Sequence, residues 1–214
     1  MSEYPTIPKS YKLYEEYMLP INIIRHSEQA SKVAVFLAKK IIDTGEKIDV
    51  DLVRAAALLH DIAKPIDFRS FERDPAHTDK EFTDKQIKKW KAMKILYKGL
   101  THEEAAEIIF QDYPKLAKIV KKHKYQDINE GLDSWEEKLI YYADKIVMND
   151  IIETLEKRLK DGHRRYVGEP PYPKDVIETD KKIFELEEEL LKKAGVSQKD
   201  IIGLNNVCID KVLR

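Results

Sequence analysis

The spacing of apolar residues is the feature that most constrains the fold of this chain. In nearly every segment with a clear period, apolar residues recur every three to four positions. This spacing lines one face of an α-helix, whereas a half-buried β-strand requires alternation of apolar and polar residues. We find no convincing run of alternating β-branched residues and no internal repeat. The sequence therefore predicts an all-α fold.

Capping residues, glycines and prolines predict the helix boundaries. Gly45 fits the position just after a helix, and Pro65 cannot continue one. Three hydroxyl residues, each followed three places later by Glu or Gln, form capping boxes that predict helices beginning near 84, 102 and 135: Thr83 with Gln86, Thr101 with Glu104 and Ser134 with Glu137. The remaining predicted helices cover 11–18, 21–44, a segment from Asp49 or Asp51 to Pro65, Pro114 to about Lys124, and 174–194. The helix from 135 is predicted to run through Asp144 and Leu159.

The C-terminal part is predicted to begin where Asp161-Gly162 breaks the preceding helix. A rigid linker over 168–173 then leads to the charged helix 174–194. The apolar stripe of this helix must cover some apolar surface, on this domain or on a partner; it consists of Val176, Ile183, Leu186 and Leu190. We predict one domain over residues 1–160, with a helical extension over 161–214 packed on it.

Composition narrows the functional classes. The chain has 214 residues, 36% of them charged, yet its net charge is −1. That balance gives no sign of a partner such as a nucleic-acid polymer or an anionic membrane surface. The single cysteine, Cys208, excludes an internal disulfide, and neither a membrane span nor a signal peptide is recognisable. We expect a cytoplasmic protein, and self-association through the C-terminal helix remains open.

Six side chains that can bind metal ions follow one another in the order H…HD…H…H…D. They are His26, His60, Asp61, His102, His123 and Asp144. Helical spacing puts most of them on the same faces as apolar residues, so we expect them to point into the core. An uncompensated buried carboxylate costs several kcal/mol, on the order of the penalty per buried ion. A bound metal ion removes that penalty. His77 and His163 lie in loop-like segments and are predicted to be surface residues.

This order of residues, with the motif His60-Asp61-Ile-Ala-Lys64, resembles the HD-domain superfamily of metal-dependent phosphohydrolases over roughly residues 20–160. The resemblance implies an HD-type helical bundle. It also implies that His26, His60, Asp61 and Asp144 hold one metal ion, and that His102 and His123 add a second with Asp61 bridging. Such ligands suit Fe, Mn, Co, Ni or Zn. His102, in the first turn of its helix, is the least secure ligand.

The resemblance also implies hydrolysis of a phosphoester or phosphoanhydride bond in a nucleotide or related small phosphate. Asp61 and Lys64 are the candidate catalytic residues, and Lys64, Arg164 and Arg165 are candidates for binding phosphate, although both arginines fit solvent exposure equally well. Alternatively, the superfamily's mixed-valence di-iron oxygenases use the same six ligands. A non-catalytic nucleotide-binding module ranks last, because no ligand is lost.

Subfamily features are weaker. The chain has no Gly-Tyr-Pro element, and it has Ala63 where many members have Gly. The loop over 66–83 is predicted to be exposed and placed where a lid could sit. Its aromatic and basic residues either contact a nucleotide or, for the two phenylalanines, anchor the loop to the domain; they are Phe68, Arg69, Phe71 and Arg73.

Overall fold

A computed structural model describes residues 3–71 and 82–208 of the chain. Its α-helices are α1 (Ile7–Tyr17), α2 (Ile21–Ile42), α3 (Val50–Leu59), α4 (Asp84–Leu96), α5 (His102–Ile109), α6 (Pro114–Lys121), α7 (Trp135–Ile146), α8 (Leu155–Tyr166), α9 (Lys174–Ala194) and α10 (Gln198–Gly203). Short 3₁₀ helices cover Lys64–Asp67, Tyr125–Asn129 and Leu204–Asn206. Strands β1 (Val147–Met148) and β2 (Ile151–Ile152) pair antiparallel, with Val147 opposite Ile152.

The core lies around α2 and α3, which pack against each other. Helix α2 also contacts α7 and α9, and α3 also contacts α6 and α7. Fully buried side chains such as Val33 and Leu37 on α2 and Leu59 on α3 fill the space between these helices. The prediction of an all-α fold is therefore confirmed, and the small hairpin is the exception within the described residues.

Most predicted helix starts are confirmed by the side chains that cap them. Asp49 caps α3, because its Oδ1 accepts a hydrogen bond of 3.0 Å from the Leu52 amide. Thr83 and Thr101 form complete capping boxes at α4 and α5. Capping satisfies backbone N–H groups that have no partner in the first turn of a helix.

The third predicted capping box is only half formed. Ser134 accepts a hydrogen bond from the Glu137 amide at 3.2 Å, as predicted. The Glu137 carboxylate, however, accepts from the Asp133 amide at 2.8 Å. Glu137 is almost fully buried and also pairs with Lys118. The side chain therefore serves a tertiary contact as well as the start of the helix.

The predicted helix through Asp144 and Leu159 is wrong. Helix α7 ends at Ile146, the β-hairpin follows, and α8 begins at Leu155. Val147 and Ile151 lie three and seven residues after Asp144, so their spacing cannot distinguish one long helix from a helix followed by two short strands. The turn of the hairpin contains Asn149 at φ 58°, a left-handed conformation that asparagine adopts more readily than most residues.

The predicted break at Asp161-Gly162 is also wrong, because α8 continues through both residues to Tyr166. A glycine inside a helix costs about 1 kcal/mol relative to alanine, so it weakens a helix without ending it. One consequence is that His163, predicted to be a surface residue, is buried. The predicted domain boundary between 160 and 161 falls inside α8 and stays a prediction.

The C-terminal helix α9 covers 174–194 as predicted, and Gly195 follows it at φ 62°. Its predicted apolar stripe is buried, and the helix contacts α2, α7 and the 3₁₀ helix Tyr125–Asn129. In the described part of the chain, none of the helices has the length and apolar character needed to cross a membrane.

Candidate metal centre

The fold brings the six predicted metal ligands together in the core. They lie on α2 (His26), just after α3 (His60 and Asp61), at the first residue of α5 (His102), two residues after α6 (His123) and on α7 (Asp144). His60 and His123 were predicted to lie on helices, but both follow the last residue of one. Five of the six are buried, and the side chain of Asp144 is 14% exposed. The core therefore contains a cluster of imidazole and carboxylate groups.

One half of the cluster is built around Asp144. Its Oδ1 lies 3.0 Å from Nε2 of His26 and 3.6 Å from Nε2 of His60. Asp61 approaches from the other side, with Oδ2 3.7 Å from the same nitrogen of His60. Ligand atoms of His26, His60 and Asp61 all lie within 4.8 Å of one another. These atoms are close enough to contact one metal ion.

The other half of the cluster is built around the second oxygen of Asp61. Oδ1 lies 3.1 Å from Nε2 of His102 and 3.6 Å from Nε2 of His123, and the two nitrogens are 3.1 Å apart. These three residues form a second group of atoms within 4.8 Å. Asp61 thus faces both halves, one with each oxygen.

The four histidines share one arrangement of their two ring nitrogens. Each Nε2 points into the cluster, and each Nδ1 lies within hydrogen-bonding distance of an oxygen outside it. The partners of Nδ1 are the Asn149 carbonyl for His26 (3.1 Å), the Ala57 carbonyl for His60 (2.8 Å), the Val120 carbonyl for His123 (2.7 Å) and the Asp67 carboxylate for His102 (2.5 Å). Because a carbonyl can only accept, Nδ1 must donate, which leaves the lone pair of Nε2 free for a metal ion.

Two atoms at the centre support the same conclusion. Nε2 of His60 and Oδ1 of Asp61 are buried without a hydrogen-bond partner among the described residues. Such atoms are costly to leave unpaired, and a metal ion satisfies both. The residues present therefore fit a divalent transition metal, whose usual ligands are neutral imidazole and carboxylate.

Charge in the cluster favours ligand-competent protonation states. Burial lowers the pKa of His123 to about 4, and the neighbouring His60 and His102 lower it further, so its ring is neutral at pH 7. Burial disfavours the charged form of Asp61, but Lys64, His60 and the hydrogen bonds from His102 and His123 hold its pKa well below the ordinary value. The carboxylate is therefore ionised.

Two lysines flank the cluster. Lys64 begins the 3₁₀ helix Lys64–Asp67 and places its Nζ 3.4 Å from Oδ1 of Asp61 and 3.2 Å from Nε2 of His102. Lys145 is buried, and its Nζ donates to Oδ2 of Asp144 at 2.6 Å and to the His123 carbonyl at 2.7 Å. Both ammonium groups offset the negative charge of the carboxylates.

Sequence reasoning missed the residues that support the ligands. Asp67, Glu103, Lys145 and Asn149 all contact the cluster, but none carries a motif. Glu103 is buried beside His102, with Oε2 3.4 Å from Nδ1, and forms a third group of potential ligand atoms with Asp67 and His102. The available signal was position alone, because Glu103 and Lys145 are adjacent to predicted ligands.

The remaining predicted site residues have mixed surroundings. Arg164 and Arg165 lie on α8 and both pair with Asp161; their side chains are 72% and 33% exposed. Phe68 and Phe71 contact Trp90, which supports the anchoring role considered for them. The predictions for Arg73 and His77 concern residues outside the described ranges.

Comparison with known proteins agrees with this geometry. The model of the HD domain family matches residues 23–149, a range that includes all six candidate ligands. An uncharacterised protein of Methanocaldococcus jannaschii is 27% identical over 146 residues, which cover 66% of this chain and 80% of that protein. No solved structure gives a significant match. HD domains bind divalent metals and are generally metal-dependent phosphohydrolases. With its match over more than half of the sequence and its cluster of histidines around a His-Asp pair, the chain belongs to the HD domain family.

Proposed function

We propose that this protein is a dinuclear metal-dependent phosphohydrolase that cleaves a phosphoester or phosphoanhydride bond of a nucleotide or a related small phosphate. The observation that supports it most directly is the position of Asp61. Its two oxygens face two separate groups of ligands, His26, His60 and Asp144 on one side and His102 and His123 on the other. A shared carboxylate of this kind suits a pair of divalent transition-metal ions.

Two such ions, when bound, would lower the pKa of a water molecule between them and neutralise charge on the attacked phosphoryl group. The chain's own residues then have three tasks. The four imidazoles supply neutral donors whose orientation is fixed through Nδ1. Asp61 and Asp144 supply the negative charge that balances the ions, and Lys64 supplies a positive charge for the phosphate.

Lys64 is the strongest candidate for contact with the substrate. Its side chain is 35% exposed while its Nζ reaches Asp61, so it connects the cluster to the solvent. An ammonium at this position can bind a non-bridging oxygen of a phosphate held at the cluster. This residue favours hydrolysis over the oxygenase alternative, because a phosphate ester carries the negative charge that an ammonium recognises.

Arg164 and Arg165 remain proposed as further phosphate-binding residues. They lie on α8, directly after the hairpin whose Asn149 contacts His26. Both are held by Asp161, so a role in binding requires that a phosphate compete with this carboxylate. Replacing each arginine by Ala and measuring KM for the best substrate tests the role, since lost phosphate contacts raise KM.

The test of the proposed function begins with metal content. Protein purified without chelator is analysed for bound elements, together with His102→Ala and His123→Ala. About two transition-metal ions per chain, reduced in both variants, are expected. One ion that neither variant affects would contradict the dinuclear site. The loaded protein is then assayed against nucleotides, dinucleotides and phosphate monoesters, in parallel with oxygen consumption; oxygen uptake without phosphate release would contradict hydrolysis.

A further inference from the structure

The segment that carries His123 is held by the C-terminal helix α9, which lies outside the part of the chain matched by the family model. His123 follows α6 and precedes the 3₁₀ helix Tyr125–Asn129, so the helical hydrogen bonds of α6 do not fix its position. Its placement therefore depends on what anchors this 3₁₀ helix.

Both ends of the 3₁₀ helix are bonded to α9. At the first residue, the hydroxyl oxygen of Tyr125 lies 2.7 Å from Oδ1 of Asp180 and 3.0 Å from the Val176 carbonyl. At the last residue, Nδ2 of Asn129 donates to Oγ1 of Thr179 at 2.9 Å. Thr179 is almost fully buried and donates its own hydroxyl hydrogen along α9. These bonds fix the segment after His123 at two points.

Asp180 also receives a contact from α8. Nε2 of the buried His163 lies 3.2 Å from its Oδ1, and the His163 ring packs on Tyr172 of the linker at 4.5 Å between centroids. The carboxylate thus joins α8, α9 and the 3₁₀ helix. This arrangement explains why His163 is buried, and it makes Asp180 the centre of a polar cluster distinct from the metal ligands.

The same anchor continues to the metal centre through α7. The hydroxyl of Tyr141 donates to the Tyr125 carbonyl at 2.6 Å, and Lys145, one turn later, donates to the His123 carbonyl at 2.7 Å. The ammonium of Lys145 lies 4.7 Å from the centre of the Tyr141 ring. His123 is therefore held between a lysine of α7 and a tyrosine fixed by α9.

We propose that Tyr125 and Asp180 are positioning residues for the second metal ion, acting through the backbone of His123. The proposal rests on the dinuclear site described above. Loss of the Tyr125–Asp180 hydrogen bond releases the segment after His123 and weakens the group formed by Asp61, His102 and His123. The group formed by His26, His60 and Asp144 is unaffected, because its ligands lie on α2, α3 and α7.

The experiment is a calorimetric titration of Mn²⁺ into metal-free, full-length protein. Two binding steps are expected for the wild type, and His123→Ala identifies the step that belongs to the second group. Tyr125→Phe is expected to weaken this step about tenfold, at the lower end of the effect of losing an outer partner of a ligand, and to leave the other step unchanged. Asp180→Ala has the same effect, whereas Asp180→Asn, whose amide oxygen still accepts from Tyr125, retains the affinity.

Tyr142→Phe is the matched control. Tyr142 also joins α7 to α9, since its hydroxyl donates to Glu187 at 2.8 Å, but it contacts no segment that carries His123. It should cost similar stability and leave both steps unchanged. Thr179→Val, which breaks the bond from Asn129, replaces Tyr125→Phe if that variant does not fold. Two wild-type steps with no selective loss in Tyr125→Phe or Thr179→Val overturn this inference alone, whereas a single wild-type step overturns the dinuclear site.

Discussion

Asp61 is the residue on which both halves of the centre depend, because each half uses a different oxygen of the same carboxylate. Asp61→Asn preserves the shape of the side chain and removes its charge. We expect metal affinity to fall by more than about 100-fold, the upper end of what loss of a mere supporting partner costs. Elemental analysis after dialysis measures the effect, with the exposed Asp112→Asn as control. Full metal content in Asp61→Asn would show that the ligand assignment is wrong.

Lys64 can be separated from the ligands, because it carries charge without a lone pair for a metal ion when protonated. Burial opposes the charged form of Lys64, but Asp61 and Asp144 hold its pKa above the ordinary value, so it is protonated at pH 7. We expect Lys64→Ala to keep its metal and to lose turnover by about 10²- to 10³-fold, as when one donor to a developing negative charge is removed. Metal content and kcat of the same preparation decide the matter; unchanged kcat would make Lys64 structural.

At the scale of elements, the hairpin of β1 and β2 orients a ligand. The carbonyl of Asn149 accepts from His26, and the left-handed backbone of Asn149 aims that carbonyl. We expect Asn149→Val to lose about 1–2 kcal/mol of stability, the cost of a left-handed residue with a Cβ branch, and to weaken the metal bound by His26. Asn149→Gly should keep both. Urea unfolding and metal titration test the pair; equal behaviour of the two variants would exclude this role for the turn.

Elements with their own local signals were predictable from the sequence. Helices α4 and α5 begin at Thr83 and Thr101 because a hydroxyl and a carboxamide or carboxylate three residues apart satisfy the free amides. The hairpin has no such signal, since Val147 and Ile151 fit a helical period equally well. The order of the six ligands also indicated the centre. Asp67 was not predictable, because its contact with Nδ1 of His102 depends on how distant helices pack.

For the whole molecule, the position of α9 implies that the C-terminal extension and the HD domain unfold together. Ile183 and Leu190 on α9 are fully buried in the core that α2 and α7 share, whereas Phe184 on the same helix is 41% exposed. Truncating a fully buried leucine costs about 2–5 kcal/mol, because both transfer energy and a cavity are involved. Leu190→Ala should therefore destabilise the protein by that amount, and Phe184→Ala by much less.

Two probes on different parts of the molecule test whether this loss is shared. Trp90 on α4 and Trp135 on α7 report by fluorescence, and circular dichroism reports on all helices together. If the chain is one cooperative unit, Leu190→Ala shifts both urea transitions equally and keeps them coincident. A helix that merely rests on the domain behaves differently: circular dichroism would show an early loss of α9 while fluorescence kept the wild-type midpoint. Coincident transitions would also mean that the anchor of His123 on α9 is as stable as the metal centre itself.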